Sequence, residues 1–147
     1  MKGFRAAGLH CGIKSGRRPD LALIAADHPC SSAAVFTTNR AAAAPVLITR
    51  KHARKGKLQA IVANSGSANA CTGHQGLAIA EQMAAITGER LGIPPGRVAV
   101  ASTGTIGAPP SLKALQTGIP RAISALSAKG SRKAAAAIMT TDTFTKE

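Results

Sequence analysis

Ala60-Ile-Val-Ala-Asn-Ser-Gly-Ser-Ala-Asn-Ala-Cys-Thr-Gly73 is a short apolar run that stops abruptly in a loop of glycine, hydroxyl and amide residues. A second passage has the same form, with Val98-Ala-Val-Ala101 running into Ser102-Thr-Gly-Thr-Ile-Gly107. Between them, residues 76–91 place Ile79, Met83 and Ile86 at i, i+4 and i+7, flanked by Ala80 and Ala84. That spacing gives one apolar stripe and predicts a helix. Gly92 stands where a left-handed C-terminal residue belongs, and Pro94-Pro95 blocks continuation. Strand, helix and strand in this order indicate an α/β or α+β domain.

The rest of the chain extends this unit. Residues 21–26 read as a strand closed by Asp27-His28-Pro29, with residues 33–38 as its hairpin partner. Residues 45–49 read as a third strand, entered at Pro45, where the missing N–H does no harm. Residues 59–63 and 97–101 are the fourth and fifth strands, both apolar enough to be central. Residues 111–118, 120–129 and 131–139 read as short helices, the first with Ser111 as N-cap. No internal repeat and no long linker interrupts the sequence.

At 147 residues the chain fits one domain, able to bury roughly 70% of its unfolded surface. Hydrophobic residues make up 45%, but they are mostly Ala, Ile, Leu and Val, with three Phe and no Trp or Tyr. Alanine buries little area, so this core gains little per residue. The net charge is +13, with basic clusters at 14–18 and 50–57. No aromatic residues interleave with them to stack bases, so nucleic acid is a weak expectation. Attraction of an anionic substrate, or a solvated basic face, accounts for the charge equally well.

Cys11, Cys30 and Cys71 are far apart, form no Cys-x-x-Cys pair and have no histidine at metal-ligand spacing. They read as small thiols in a reducing compartment, and no metal or other cofactor is expected. The N-terminus lacks a signal-peptide apolar core and no stretch is long enough to span a bilayer, so a cytoplasmic location is expected.

Each glycine loop supports two readings. Residues 64–73 could set Asn side chains and free N–H groups around a ligand, or form a tight turn capped by Asn69 and Thr72. In residues 102–107, Gly104 would let the backbone approach a reacting carbonyl while Thr103 donates from its hydroxyl, as in an oxyanion hole. A plain glycine turn explains the same residues. A third hydroxyl run, residues 139–143 (Met-Thr-Thr-Asp-Thr), ends an alanine-rich helix. It could hold an amino acid or bond its own backbone. No nucleophile with a base beside it is legible, and the six acidic residues form no acid/base pair.

Taken together these motifs resemble the ornithine acetyltransferase family, the bifunctional glutamate N-acetyltransferases (ArgJ) of arginine biosynthesis. The resemblance runs through Gly3-Phe4, Gly8, Gly12-Ile-Lys14, Asp20-Leu-Ala-Leu-Ile24, Val35-Phe-Thr-Thr-Asn-Arg40 and Ala44-Pro-Val46. It continues through residues 60–73, 101–107 and 137–143. Ser67, Thr105 and Thr145 depart from the family's usual Asn, Val and Pro.

The resemblance implies a mixed sheet with helices in an α/β (α+β) sandwich of the DmpA/ArgJ type. It also implies a precursor that cleaves itself before a threonine into α and β chains, assembling as α2β2. The new N-terminal threonine would pass acetyl from N-acetylornithine, or from acetyl-CoA in some members, to glutamate. On this reading Thr103 and Gly104 form the oxyanion hole and Thr140 binds substrate. The chain ends at Glu147, before the family's substrate lysine, cleavage site and β chain. It is therefore expected to be a single-domain, incomplete α-chain portion without the nucleophile and inactive alone. A basic nucleic-acid-binding module or a structural remnant without catalysis is the competing reading. Nucleic-acid affinity falling steeply with salt would mark the binding module.

Overall fold

The computed structural model describes residues 2–142; Thr143 and Thr145 lie outside them. Among the described residues one sheet carries four strands in the order β1 (Phe4–Leu9), β2 (Leu21–Ser31), β3 (Lys57–Ser67), β4 (Val98–Thr105). The first two pairings are antiparallel and β3 with β4 is parallel. The described residues also form four α-helices: α1 (Ala44–Ala53), α2 (Gly73–Leu91), α3 (Leu112–Ser124) and α4 (Ser131–Ile138). The expected mixed sheet with helices is present, and α2 is the crossover that parallel pairing of β3 and β4 requires.

Alternation along the strands divides the core. Leu21, Leu23, Val62 and Val98 point to one face, where Met83 of α2 and Leu115 and Ile119 of α3 bury them fully. On the other face α4 lays Ala134 and Ala137 on Ala6 and Ala22. Here the alanines have a use that area alone does not reveal, because small residues let helix and sheet backbones meet. A Cβ at Gly8 would stand 1.9 Å from the Lys133 carbonyl oxygen.

The predicted strand–helix–strand unit is in place. Helix α2 ends at Gly92 in the left-handed conformation (φ 68°), and Ser111 caps α3 by accepting from Ala114 N at 3.3 Å. Four expectations need correction. Residues 33–38 are not a strand: both edges of β2 are already taken, by β1 and β3. The segment crosses the surface instead, tied to α1 by Arg50, which stacks on the Phe36 ring and donates to Thr37 O at 2.8 Å.

Residues 45–49 are not a strand either but the first half of α1. Pro45 occupies the first turn, where its missing N–H costs nothing, and Ala44 and Ile48 form a buried i, i+4 pair. Residues 111–118 and 120–129 are not two helices, since α3 runs through Pro120. The acceptor that Pro120 orphans belongs to exposed Gln116, where water can replace it. Strand β1, rich in alanine and carrying an arginine, has too little β-propensity to be read from sequence.

Strand β4 is not central but lies at the sheet edge. Its apolar half is nevertheless buried, because α1 lies beside it. Thr49 Oγ1 donates to Val100 O at 2.7 Å and accepts from Val100 N at 2.8 Å, as a neighbouring strand would. His52 Nδ1 lies 2.8 Å from Val98 O, which places the ring proton on that nitrogen. Edge blunting of this kind protects against strand addition. Thr49→Val keeps the shape and removes both bonds, leaving a buried N–H and C=O unpaired. A loss of about 2 kcal/mol is expected in denaturant unfolding; an unchanged midpoint would mean water reaches that edge.

Candidate functional site

The parallel strands β3 and β4 both end at one edge of the sheet, and β2, antiparallel to β3, begins there. The loop of residues 10–20 therefore arrives at that edge, as does the backbone leaving α4. A cleft of about 600 Å³ opens between these parts. It is lined by Ile13, Lys14, Ser15 and Arg18 from the loop, Gly66 from β3, Thr103, Gly104 and Thr105 from β4, and Thr140 and Thr141 after α4. Crevices at the carboxyl ends of parallel strands are where open sheets bind ligands. Thr103, Gly104 and Thr140, singled out from sequence, all meet here.

The loop of residues 10–20 is shaped by one buried carboxylate. Asp20 Oδ1 accepts from Cys11 N at 2.6 Å. Its Oδ2 accepts from Gly12, Ile13 and Lys14 N at 3.1, 2.8 and 2.9 Å. His10 Nδ1 adds a contact to Oδ2 at 3.2 Å. Burial alone would push the Asp20 pKa up, but the converging backbone N–H groups outweigh it and hold the carboxyl below its usual value. The same arrangement silences Cys11: burial first, then the Asp20 charge, raise its thiol to about 12, so it is no nucleophile at neutral pH.

Lys14 leaves this loop half-buried and crosses the cleft wall. Its Nζ donates to Pro19 O at 3.2 Å and to Met139 O, the carbonyl directly before Thr140. Burial and the neighbouring Arg18 lower the Lys14 pKa, with Asp20 opposing them. The basic cluster was legible in the sequence; that it lines the same cleft as Thr103 was not.

The two glycines bring β3 and β4 together at the cleft floor. Gly66 (φ 105°) and Gly104 (φ 132°) are paired across the strands. A Cβ on Gly104 would lie 2.5 Å from Gly66 C and 2.8 Å from Ser67 N. Gly104→Ala combines left-handed strain with this overlap and is expected to cost about 2 kcal/mol. A wild-type thermal midpoint would show that the strands separate freely.

Most polar groups of residues 64–73 are occupied. Asn64 Nδ2 donates to Ser67 O (2.9 Å), and its Oδ1 accepts from Ser102 Oγ (2.6 Å). Ser67 Oγ donates to Ala108 O (2.6 Å), Asn69 Nδ2 to Gly76 O (2.9 Å), and Thr72 Oγ1 to Asn69 Oδ1 (2.8 Å). The tight-turn reading holds for Asn69, whereas Thr72 bonds the Asn69 side chain and caps no backbone N–H; among the described residues this loop gives the cleft only Gly66. Ser67, a departure from the family pattern, is therefore a scaffold residue with its hydroxyl satisfied. No group of three or more His, Cys, Asp and Glu among the described residues could hold a metal, and no helix there is long and apolar enough to cross a membrane.

Comparison with known proteins shows the family of the chain. Residues 5–147 match the model of the ArgJ family. The chain is 51% identical over 147 residues to "Arginine biosynthesis bifunctional protein ArgJ" of Symbiobacterium thermophilum and 44% over 146 residues to that of Geobacter sulfurreducens. In each case the alignment takes in 99% of this chain and 37% of the relative's length. The crystal structure of arginine biosynthesis bifunctional protein ArgJ from Bacillus halodurans superposes with a TM-score of 0.89 at 43% identity, covering 97% of this chain and 75% of that one. Ornithine acetyltransferase of Mycobacterium tuberculosis, solved with ornithine, gives 0.92 at 40% identity, covering 97% and 78%. The chain belongs to the ArgJ family and spans a little over a third of the length of the curated relatives it matches.

Proposed function

We propose that the cleft is part of the acyl-transfer site of an arginine-biosynthetic acetyltransferase, which moves acetyl from N-acetylornithine to glutamate. Acetyl-CoA is the alternative acetyl donor that some members of the family accept, and the proposed chemistry calls on no metal or other cofactor. The observation that carries this reading is the convergence of the Thr103-Gly104 pair with Thr140, distant from it in sequence, on one cleft. The Thr103 hydroxyl and the Gly104 N–H serve the oxyanion of each tetrahedral intermediate, and Thr140 holds the amino-acid substrate. The acylated residue is a threonine outside residues 1–147, the first residue of a β chain released by self-cleavage. Its amine takes the hydroxyl proton as the oxygen attacks the acetyl carbon. Ornithine leaves as the amine, and the glutamate amine then attacks the ester and regenerates the threonine.

The relative lengths support a divided precursor. This chain fills 37% of curated relatives but 75–78% of two solved relatives' chains, so those chains are the shorter ones. In this reading residues 1–147 form one structural unit of an α chain that joins the β chain in a cytoplasmic α2β2 assembly. The test is to express the protein as its gene encodes it and supply N-acetylornithine and glutamate. Equimolar N-acetylglutamate and ornithine are expected, and none from residues 1–147 alone. No transfer by the whole gene product would overturn the activity. Turnover by residues 1–147 alone would place a nucleophile among them.

A further inference from the structure

The cleft has a positively charged wall that the acetyl-transfer chemistry does not use. Lys14 and Arg18 line it together, and among the described residues no carboxylate does. Asp20 stands behind the wall with both oxygens occupied by backbone N–H groups. Asp142 lies beyond Thr140, with its Oδ2 3.4 Å from Thr140 N. Lys14 spends two of its three donors on the Pro19 and Met139 carbonyls, which fixes the ammonium in place and leaves one N–H. Arg18 is exposed and makes no side-chain hydrogen bond or ion pair among the described residues, although its fork suits a carboxylate. Burial first and then the Arg18 charge lower the Lys14 pKa, and an anion bound between the two cations offsets their repulsion. The volume of about 600 Å³ suits a molecule of amino-acid size.

We propose that Lys14 and Arg18 form a carboxylate receptor in this cleft, which takes the α-carboxylate of the amino-acid substrate. Through Met139 O, Lys14 ties that receptor to the backbone of Thr140, so carboxylate and reacting amide are positioned by one connected wall. The receptor rests on the geometry of the loop; that its ligand is the substrate α-carboxylate rests on the acetyl-transfer reading.

Calorimetric titration of the protein, expressed as its gene encodes it, separates the two. The probes are N-acetylornithine, N-acetylputrescine (the same amide without the carboxylate) and glutarate, which has carboxylates and no transferable group. Wild type should bind N-acetylornithine about tenfold or more tightly than N-acetylputrescine, as one charged hydrogen-bond pair supplies. Arg18→Gln should remove most of that difference and Arg18→Lys should restore part of it. Arg18 is exposed, so the thermal midpoints of both variants should match wild type. Equal wild-type affinity for the two amides, or a full preference retained in Arg18→Gln, overturns the receptor. If neither amide binds, the acetyl-donor reading fails and glutarate decides. Glutarate affinity that falls about tenfold in Arg18→Gln sustains the receptor; no binding, or binding that ignores the substitution, overturns it.

Discussion

Thr103→Ala is expected to lower kcat for acetyl transfer about 10²–10³-fold, or roughly 2.7–4 kcal/mol in the barrier, while leaving the fold intact. Its side chain is exposed at the cleft, and no side-chain hydrogen bond from it appears among the described residues. Among the described residues, nothing depends on that hydroxyl. The change in stability should stay within about 0.5 kcal/mol, the usual range for a surface substitution. Rate and stability thus separate, which a purely structural residue would not allow. The measurement is kcat and thermal midpoint together, on the protein as its gene encodes it. An unchanged kcat would return residues 102–107 to the reading of a plain glycine turn. On the proposed oxyanion role KM should change less than kcat, since such a donor acts on charge that develops only in the transition state.

Asp20→Asn is expected to do the opposite and to damage folding first. The substitution keeps the volume but turns one acceptor into a donor, facing either Cys11 N–H or the three N–H groups on the other oxygen. It also removes the charge that made these bonds strong. Breaking a buried, charge-assisted cluster of this kind costs about 3–5 kcal/mol, enough to lower the thermal midpoint by roughly 10 °C or more. The sign of the pH dependence follows from the depressed carboxyl. With the folded pKa below the unfolded value near 3.9, the contribution is present above about pH 4 and is lost as pH falls through the folded pKa. The gap between wild type and Asp20→Asn should narrow as the pH drops below about 4. A gap constant down to pH 2, or no gap at neutral pH, would show that the loop does not need the charge.

Asp20 also marks a limit of sequence reading. As one of six acidic residues with no acidic or histidine neighbour in sequence, it offered no catalytic pattern. Its partners are backbone N–H groups six to nine residues earlier, and these leave no signature in residue identity. A possible clue was the glycine-bearing, basic turn running straight into Asp20 and an apolar strand. Lys14 and Arg18 were legible as a basic cluster, yet only the Asp20-bound loop turns them toward Thr103.

Helix α1 shows the complementary failure. Pro45-Val-Leu-Ile-Thr49 is β-branched and apolar, so propensity favours a strand. The structure makes it a helix because the free edge of β4 needs partners, and Thr49 and His52 supply them from a helical face. Propensities worth a few tenths of a kcal/mol yield to buried hydrogen bonds worth more.

The sequence by itself determined the strand–helix–strand unit, Gly92 as the end of α2, Ser111 as the cap of α3, and the family to which the chain belongs. These rest on local rules: a 3.6-residue apolar period, glycine where φ is positive, and a proline that stops a helix. Only the tertiary structure decided that β4 is an edge blunted by α1, that residues 33–38 join no strand, and that Lys14 and Arg18 wall the cleft. Each of these depends on which hydrogen-bonding edge remains vacant and which distant carbonyl comes within reach. Such facts come into being only when segments more than a hundred residues apart, as Lys14 and Met139 are, pack against one another.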